Sequence, residues 1–172
     1  MTGKLFHISE NPSIKIFKPK PSPTHFDLIK GDVVFAVSEK LLHNYLFPRD
    51  CPRVTFYCGE NTTDADKKEF FNSTTSEHII IVENHWFTKI KNAQIFWYEF
   101  INDDFSILDE CADYYISYQP VIPISVQVIE DIFDELFKRN IELRFMPNLQ
   151  KIASQVSQST LNFSLIRMKN AK

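Results

Sequence analysis

Glycine is nearly missing from this chain. Gly3, Gly31 and Gly59 are the only three in 172 residues, where an average protein has about 7%. Glycine lets a backbone approach a phosphate closely and turn through positive φ. Three isolated positions therefore cannot supply a Rossmann G-x-G-x-x-G or a P-loop. The G-x-S-x-G elbow of α/β-hydrolases is excluded for the same reason.

Core material, in contrast, is abundant. Apolar residues make up 44% of the chain and aromatics 14%, with 16 phenylalanines. A chain of this length and composition folds, and residues 1–172 are expected to form a single domain. Nineteen Lys and Arg against 22 Asp and Glu leave a net charge of −3, so the totals carry no strong nucleic-acid footprint. The longest apolar runs are four or five residues, such as Ile79 to Val82, far short of the ~20 needed to span a bilayer. The first residues, MTGKLFHIS, lack the apolar core of a signal peptide. Cys51, Cys58 and Cys111 form no CxxC pair. They read as free thiols in a reducing cytoplasm, which is the expected location.

The apolar pattern predicts short strands at Lys4 to Ile8, Val33 to Val37, Val54 to Cys58, His78 to Val82, Gln94 to Phe100, Asp104 to Leu108, Tyr114 to Tyr118, Val121 to Val126, Ile141 to Phe145 and Leu161 to Met168. Gln94 to Phe100 and Asp104 to Leu108 read as a pair joined around Asn102-Asp103. Ile14 to Phe17 is a further extended piece, and the alternate prolines of Lys18 to Thr24 make a polyproline-like surface loop. Helical signals follow Ser38, a candidate N-cap, and recur at Glu83 to Lys91 and at Pro147 to Val156. They are clearest at Val128 to Arg139, where Val128, Ile129, Ile132, Phe133, Leu136 and Phe137 form a stripe closed by Asn140. Gly59 to Ser76 reads as a long loop with one helical turn at Asp64 to Phe71, a candidate lid. Helices do not alternate regularly with strands. The expected fold class is α+β, with a mainly antiparallel, bent or split sheet and three to four short helices.

Candidate chemistry is sparse. None of the five histidines, His7, His25, His43, His78 and His85, lies in an HExxH pattern, and no metal site is expected. His7 sits between Phe6 and Ile8 in the first strand. Its side chain points away from both, so it either lines a cleft or is a satisfied interior histidine. Arg49 and Arg53 flank a turn stiffened by Pro48 and Pro52. They either clamp a phosphate or carboxylate, or pair within the turn and fix it. A depressed Cys51 pKa beside these arginines is a further option. Tyr115 and Ser117 share one side of their strand, giving a face suited to stacking or to packing. Glu99, Asp104 and Asp109 are candidate carboxylates, and spacing does not choose among them.

Four stretches then carry a family likeness: LFHISENPSIKIFKPKPS from Leu5, VVFAVSEKLLHNYLFPRDCPRVTFY from Val33, YEFINDDFSILDECADYYISYQPVIP from Tyr98, and the tail from Glu142. Together they resemble a family of small bacterial proteins of unknown function, mostly Gram-positive. The order of pieces is also similar to small ADP-ribosyltransferases. Their first strand carries an aromatic-His pair, here Phe6-His7. This resemblance implies a split-sheet fold with NAD or a related nucleotide bound near His7, which would meet the adenosine ribose. It makes Tyr45 or Tyr115 the nicotinamide-stacking residue and assigns the diphosphate to Arg49 or Arg53. Transfer of ADP-ribose to an acceptor would be the activity. The match departs at Ile8, which replaces the usual glycine. It departs again before Pro120, where Ser117, Tyr118 and Gln119 stand in place of a catalytic glutamate. Two competing readings are a non-enzymatic interaction protein, including a homodimer, and a phosphate- or carboxylate-binding enzyme built on Arg49 and Arg53.

Overall fold

The computed structural model describes residues 3–23, 26–110 and 112–172. His25, Thr24 and Cys111 lie outside the described residues. Ten strands and four α-helices are present among those described, so the α+β class with largely antiparallel pairing is correct. The chain divides into two compact units. Residues 1–46 and 94–130 form the first; residues 47–93 and 131–172 form the second.

The first unit is a six-stranded sheet. Its strands are β1 (Lys4–Ser9), β2 (Val34–Ser38), β5 (Ile95–Ile101), β6 (Ser106–Asp109), β7 (Tyr114–Ser117) and β8 (Ser125–Ile129). They lie in the order β6-β7-β2-β1-β5-β8, every pairing antiparallel. β1 lies inside the sheet, and its neighbours Leu5 and Phe6, which point to opposite faces, are both buried. Leu5, Val34, Ala36, Tyr98 and Phe100 form the core on one face. Phe17 joins them from the extended piece that precedes the proline-rich loop. It bridges Val121 through two backbone hydrogen bonds of 2.8 and 2.9 Å, and its ring packs edge-on against Tyr98 and Phe100. The extended piece at Ile14 to Phe17 is thus a strap and forms no strand.

The second unit holds a four-stranded sheet, ordered β10-β3-β4-β9. It is made of β3 (Arg53–Tyr57), β4 (His78–Glu83), β9 (Ile141–Met146) and β10 (Asn162–Ile166). β4 and β9 run parallel; the other pairings are antiparallel. Every residue of β4, HIIIVE, is buried, as expected of a strand covered on both faces. On one face Val54, Phe56, Ile79 and Ile81 pack with Phe70 from α1 (Asp64–Phe71) and with Ala153 and Val156 from α4 (Gln150–Ser157). The remaining helices, α2 (Phe87–Lys91) and α3 (Ile132–Lys138), meet through stacked Phe87 and Phe133 rings 5.6 Å apart.

Scarce glycine shows in the turns. Gly31, at φ 132°, leads into β2, and the other positive-φ positions among the described residues are Asp113, Asn140 and Arg167, each at 56°. Asn140 was expected there. Asp and Asn tolerate this conformation best among non-glycine residues.

Several expectations need correction. Ser38 ends β2 and caps no α-helix. Its hydroxyl is engaged by Asp113, and only a short 3-10 turn, Leu42–Tyr45, follows. β5 and β6 do not form a hairpin, since β5 lies between β1 and β8 while β6 pairs with β7. Val128 and Ile129 belong to β8; α3 starts at Ile132 behind the Asp131 cap, whose carboxylate accepts from the Asp134 amide at 3.0 Å. Glu83 belongs to β4 and not to the following helix. In the Gly59 to Ser76 segment, α1 is capped by Thr63, which accepts from the Asp66 amide at 3.3 Å.

Candidate functional site

The first unit brings two of the sequence candidates onto one face. Leu5 pairs with Ser38, and Ala36 pairs with Tyr115. Directly opposed residues and those two apart share a face. His7, Ala36, Ser38, Tyr115 and Ser117 therefore lie on the same side, with His7 and Tyr115 flanking Ala36. His7 directs Nδ1 at the Phe35 carbonyl, 2.8 Å away, and its ring lies 4.8 Å from Phe17. Both His7 and Tyr115 are half-buried. Tyr45 falls on the opposite face. Its ring is 5.9 Å from Tyr114, which alternates with Tyr115 and clusters with Phe26 and Phe35.

A carboxylate missed by sequence reasoning joins the His7 face. Asp113 is buried and accepts hydrogen bonds from the Ser38 amide at 3.0 Å and from the Ser38 hydroxyl. Partial burial, then the negative charges of Asp113 and Glu110, push the Tyr115 phenol pKa above its ordinary value. Glu99, one of the acids considered from sequence, is held by Lys4 at 2.9 Å and by the Ser125 hydroxyl at 3.2 Å. It points to the other face, being two residues from Trp97 and opposite Phe6.

Arg49 and Arg53 lie in the second unit, so they belong to a different compact unit from His7 and Tyr115. Arg53 is 3% exposed. Its guanidinium donates to the Cys51 carbonyl at 2.7 Å and sits over the Phe47 ring, 5.2 Å from its centroid. This contact to a carbonyl within the turn fits the turn-fixing alternative. Arg49 is exposed, and its own carbonyl receives the Arg167 Nε at 3.2 Å. The depressed Cys51 pKa is overturned. Burial pushes the thiol up to about 12, and the opposing influence of Arg53 and Lys89 is too weak to offset it. Cys51 is buried and Cys58 exposed.

Sequence reasoning also passed over Glu83, which has no solvent exposure. One carboxylate oxygen accepts from the Lys172 amide at 2.9 Å; the other lies 3.8 Å from His85 Nδ1 and accepts no hydrogen bond among the described residues. A depression of about 190 Å³ lies between α1 and α4, lined by Asp66, Glu69, Phe70, Gln155, Gln158 and Ser159. Two carboxylates and no cation make it unsuited to an anionic nucleotide. Among the described residues, no three His, Cys, Asp or Glu side chains gather as a metal site, and no helix is long and apolar enough to cross a membrane.

An α+β chain of two sheet-centred units, with a His7, Tyr115 and Asp113 face on one of them, is thus the class that fold and site define. The chain belongs to DUF6886, a family of unknown function, whose model matches residues 6–171. No curated protein and no solved structure matches it, so the likeness to ADP-ribosyltransferases stands on the sequence segments alone.

Proposed function

We propose that the first unit binds NAD or a related nucleotide on the face carrying His7 and Tyr115, and transfers ADP-ribose to an acceptor. The observation that carries this reading is Asp113, a buried carboxylate held by Ser38 on that same face. Its family likeness lacked an acid, and this one stands beside the stacking candidate. Breaking the bond between nicotinamide and the ribose leaves the electron pair on nicotinamide and positive charge on the ribose. A preoriented carboxylate stabilises that charge, and an acceptor's lone pair then closes the new bond as its proton is lost. Tyr115 takes the stacking role; Tyr45, on the other face, does not. This reading makes no use of Arg49 and Arg53, which belong to the other compact unit. Their use as an anion clamp has little support, because Arg53 is spent within its own turn.

A thermal-shift titration with NAD, ADP-ribose and AMP tests the reading. Ligand at 100 times its Kd stabilises a folded protein by about 2.7 kcal/mol. A shift with the intact chain that His7→Ala removes is the expected result. No shift with any of the three ligands, on folded protein, sinks the proposal.

A further inference from the structure

One end of the four-stranded sheet holds the main chain of a single residue at two points. β9 runs parallel to β4, and β10 has the same direction, since both β4 and β10 are antiparallel to β3. The carboxyl ends of these three strands therefore lie at one end of the sheet. Glu83 closes β4 there, pairs with Met146 of β9 and has no solvent exposure. The Lys172 amide donates to Glu83 Oε1 at 2.9 Å. The Lys172 carbonyl accepts from Gln150 Nε2 at 3.4 Å and from Asn148 Nδ2. Asn148 is oriented for this, because its Oδ1 accepts from the Gln150 amide at 2.8 Å. The nitrogen side is left incomplete. A backbone amide has a single N–H, and Glu83 Oε2 accepts no hydrogen bond among the described residues. His85 Nδ1, 3.8 Å away, is too far to donate one. A buried carboxylate oxygen without a donor is costly.

We propose that this end of the sheet binds an α-amino-acyl group, a free ammonium beside a carbonyl, and that the main chain of residue 172 is its occupant here. An α-ammonium brings three N–H donors and a positive charge, where the Lys172 amide brings one donor and no charge. Two of those donors satisfy Oε1 and Oε2 together, and charge assistance makes each bond stronger than the one it replaces. The adjacent carbonyl then takes the place of the Lys172 carbonyl on Asn148 and Gln150. Both donors there are neutral carboxamides, which suit a carbonyl. The present occupant is lightly held. Lys169, Asn170 and Lys172 are exposed, and Met168 is the residue of segment 168–172 that packs against the core. Asn170 adds one bond, from Nδ2 to the Asp50 carbonyl at 2.8 Å. The site lies wholly within the second unit, so the inference does not depend on what the His7 face binds.

Isothermal titration of the full chain tests it with four probes: alaninamide, trialanine amide, N-acetylalaninamide, which lacks the ammonium, and ethylamine, which lacks the carbonyl. The first two are expected to bind and to move the nuclear magnetic resonance signal of the Lys172 amide. The last two bind at least tenfold more weakly. Tighter binding of trialanine amide than of alaninamide names a peptide amino terminus as the source, and equal binding a free amino-acyl compound; either supports the site. Glu83→Gln, with native circular dichroism, weakens binding at least tenfold. Lys172→Pro removes the competing N–H at an exposed position, where Ala171 already has the extended φ −73° and ψ 149° that proline favours before it. It is expected to tighten binding, because the ligand no longer displaces residue 172. This variant decides the matter if Glu83→Gln fails to fold. No binding of either free amine to wild type and to Lys172→Pro overturns the proposal. N-acetylalaninamide or ethylamine binding as well as alaninamide overturns it too, as does a Lys172→Pro chain that binds no more tightly than wild type.

Discussion

The two sheets of this protein differ in what they leave open. In the four-stranded sheet, β4 is buried along its whole length; Arg53 of β3 donates to the Cys51 carbonyl, and one oxygen of Glu83 accepts from the Lys172 amide. In the six-stranded sheet, one face carries a half-buried His7 and Tyr115 beside Asp113, and the edge strand β8 exposes Val126 and Val128. Buried positions with satisfied polar groups read as scaffold. Half-buried polar groups on a rigid sheet are candidates for ligand contact. The comparison teaches that Arg53 of the cationic turn is buried and donates to a carbonyl within that turn.

The sharpest way to break this contrast is a large-to-small change in each sheet. Ile81→Ala, at a site with no exposure, is expected to destabilise the protein by about 2–5 kcal/mol in urea unfolding. Val126→Ala on β8 stays within about 0.5 kcal/mol. Equal losses would mean that the two sheets are not divided as described.

Next in size is the arginine pair. Arg53→Met removes the donor to the Cys51 carbonyl and is expected to lose about 1–3 kcal/mol. Arg49→Met, at an exposed position, changes stability by less than about 0.5 kcal/mol. A fully stable Arg53→Met that loses an anion-induced thermal shift would instead make the turn a binding site.

Thiol chemistry gives a qualitative check on the same turn. In a Cys111→Ser background, Ellman's reagent at pH 8 should find one accessible thiol, Cys58, in the native protein and a second only in denaturant. Rapid native labelling of Cys51 would contradict both its burial and its raised pKa.

The smallest effect is a pH dependence in the scaffold. The Thr160 hydroxyl and amide bond Asp66 at 2.5 and 2.7 Å and hold its pKa below the usual 3.8. A carboxylate with a depressed folded-state pKa stabilises the fold above its unfolded pKa and loses that contribution as pH falls through the folded one. Melting temperature should therefore fall more steeply below pH 3.8 in the wild type than in Thr160→Val. Parallel curves would remove Asp66 from the scaffold's acid sensitivity.

Much of the local structure was legible in the sequence. The isoleucine run of β4, the alternation in β1 and the Asn140 turn each announce themselves through side-chain chemistry that acts within a few residues. The α1 bounds, Asp64 to Phe71, were also readable. Where reading failed, a distant strand had won. Val128 and Ile129 have helical spacing with Ile132 and Leu136, yet β5 takes them as its edge partner through Phe96 and Ile95. Asn102-Asp103 looks like a hairpin turn, yet β6 pairs with β7 because β1 and β8 already occupy both sides of β5.

The candidate site divides in the same way. His7 was found because a residue between Phe6 and Ile8 on a strand points to the face opposite both. Asp113 was not, because nothing local distinguishes it from the other loop acids; only the bond to Ser38, 75 residues away, makes it part of the site. Arg53 drew attention as a cation beside Pro52, and its burial was invisible. By itself the sequence determined the fold class, the positions of most strands and the exclusion of glycine-rich phosphate cradles, since these follow from residue type and short-range periodicity. Strand order, the division into two sheets, which tyrosine shares the His7 face and which strands lie at the edges were decided by the tertiary structure alone, because hydrogen-bond pairing joins residues whose separation along the chain carries no local signal.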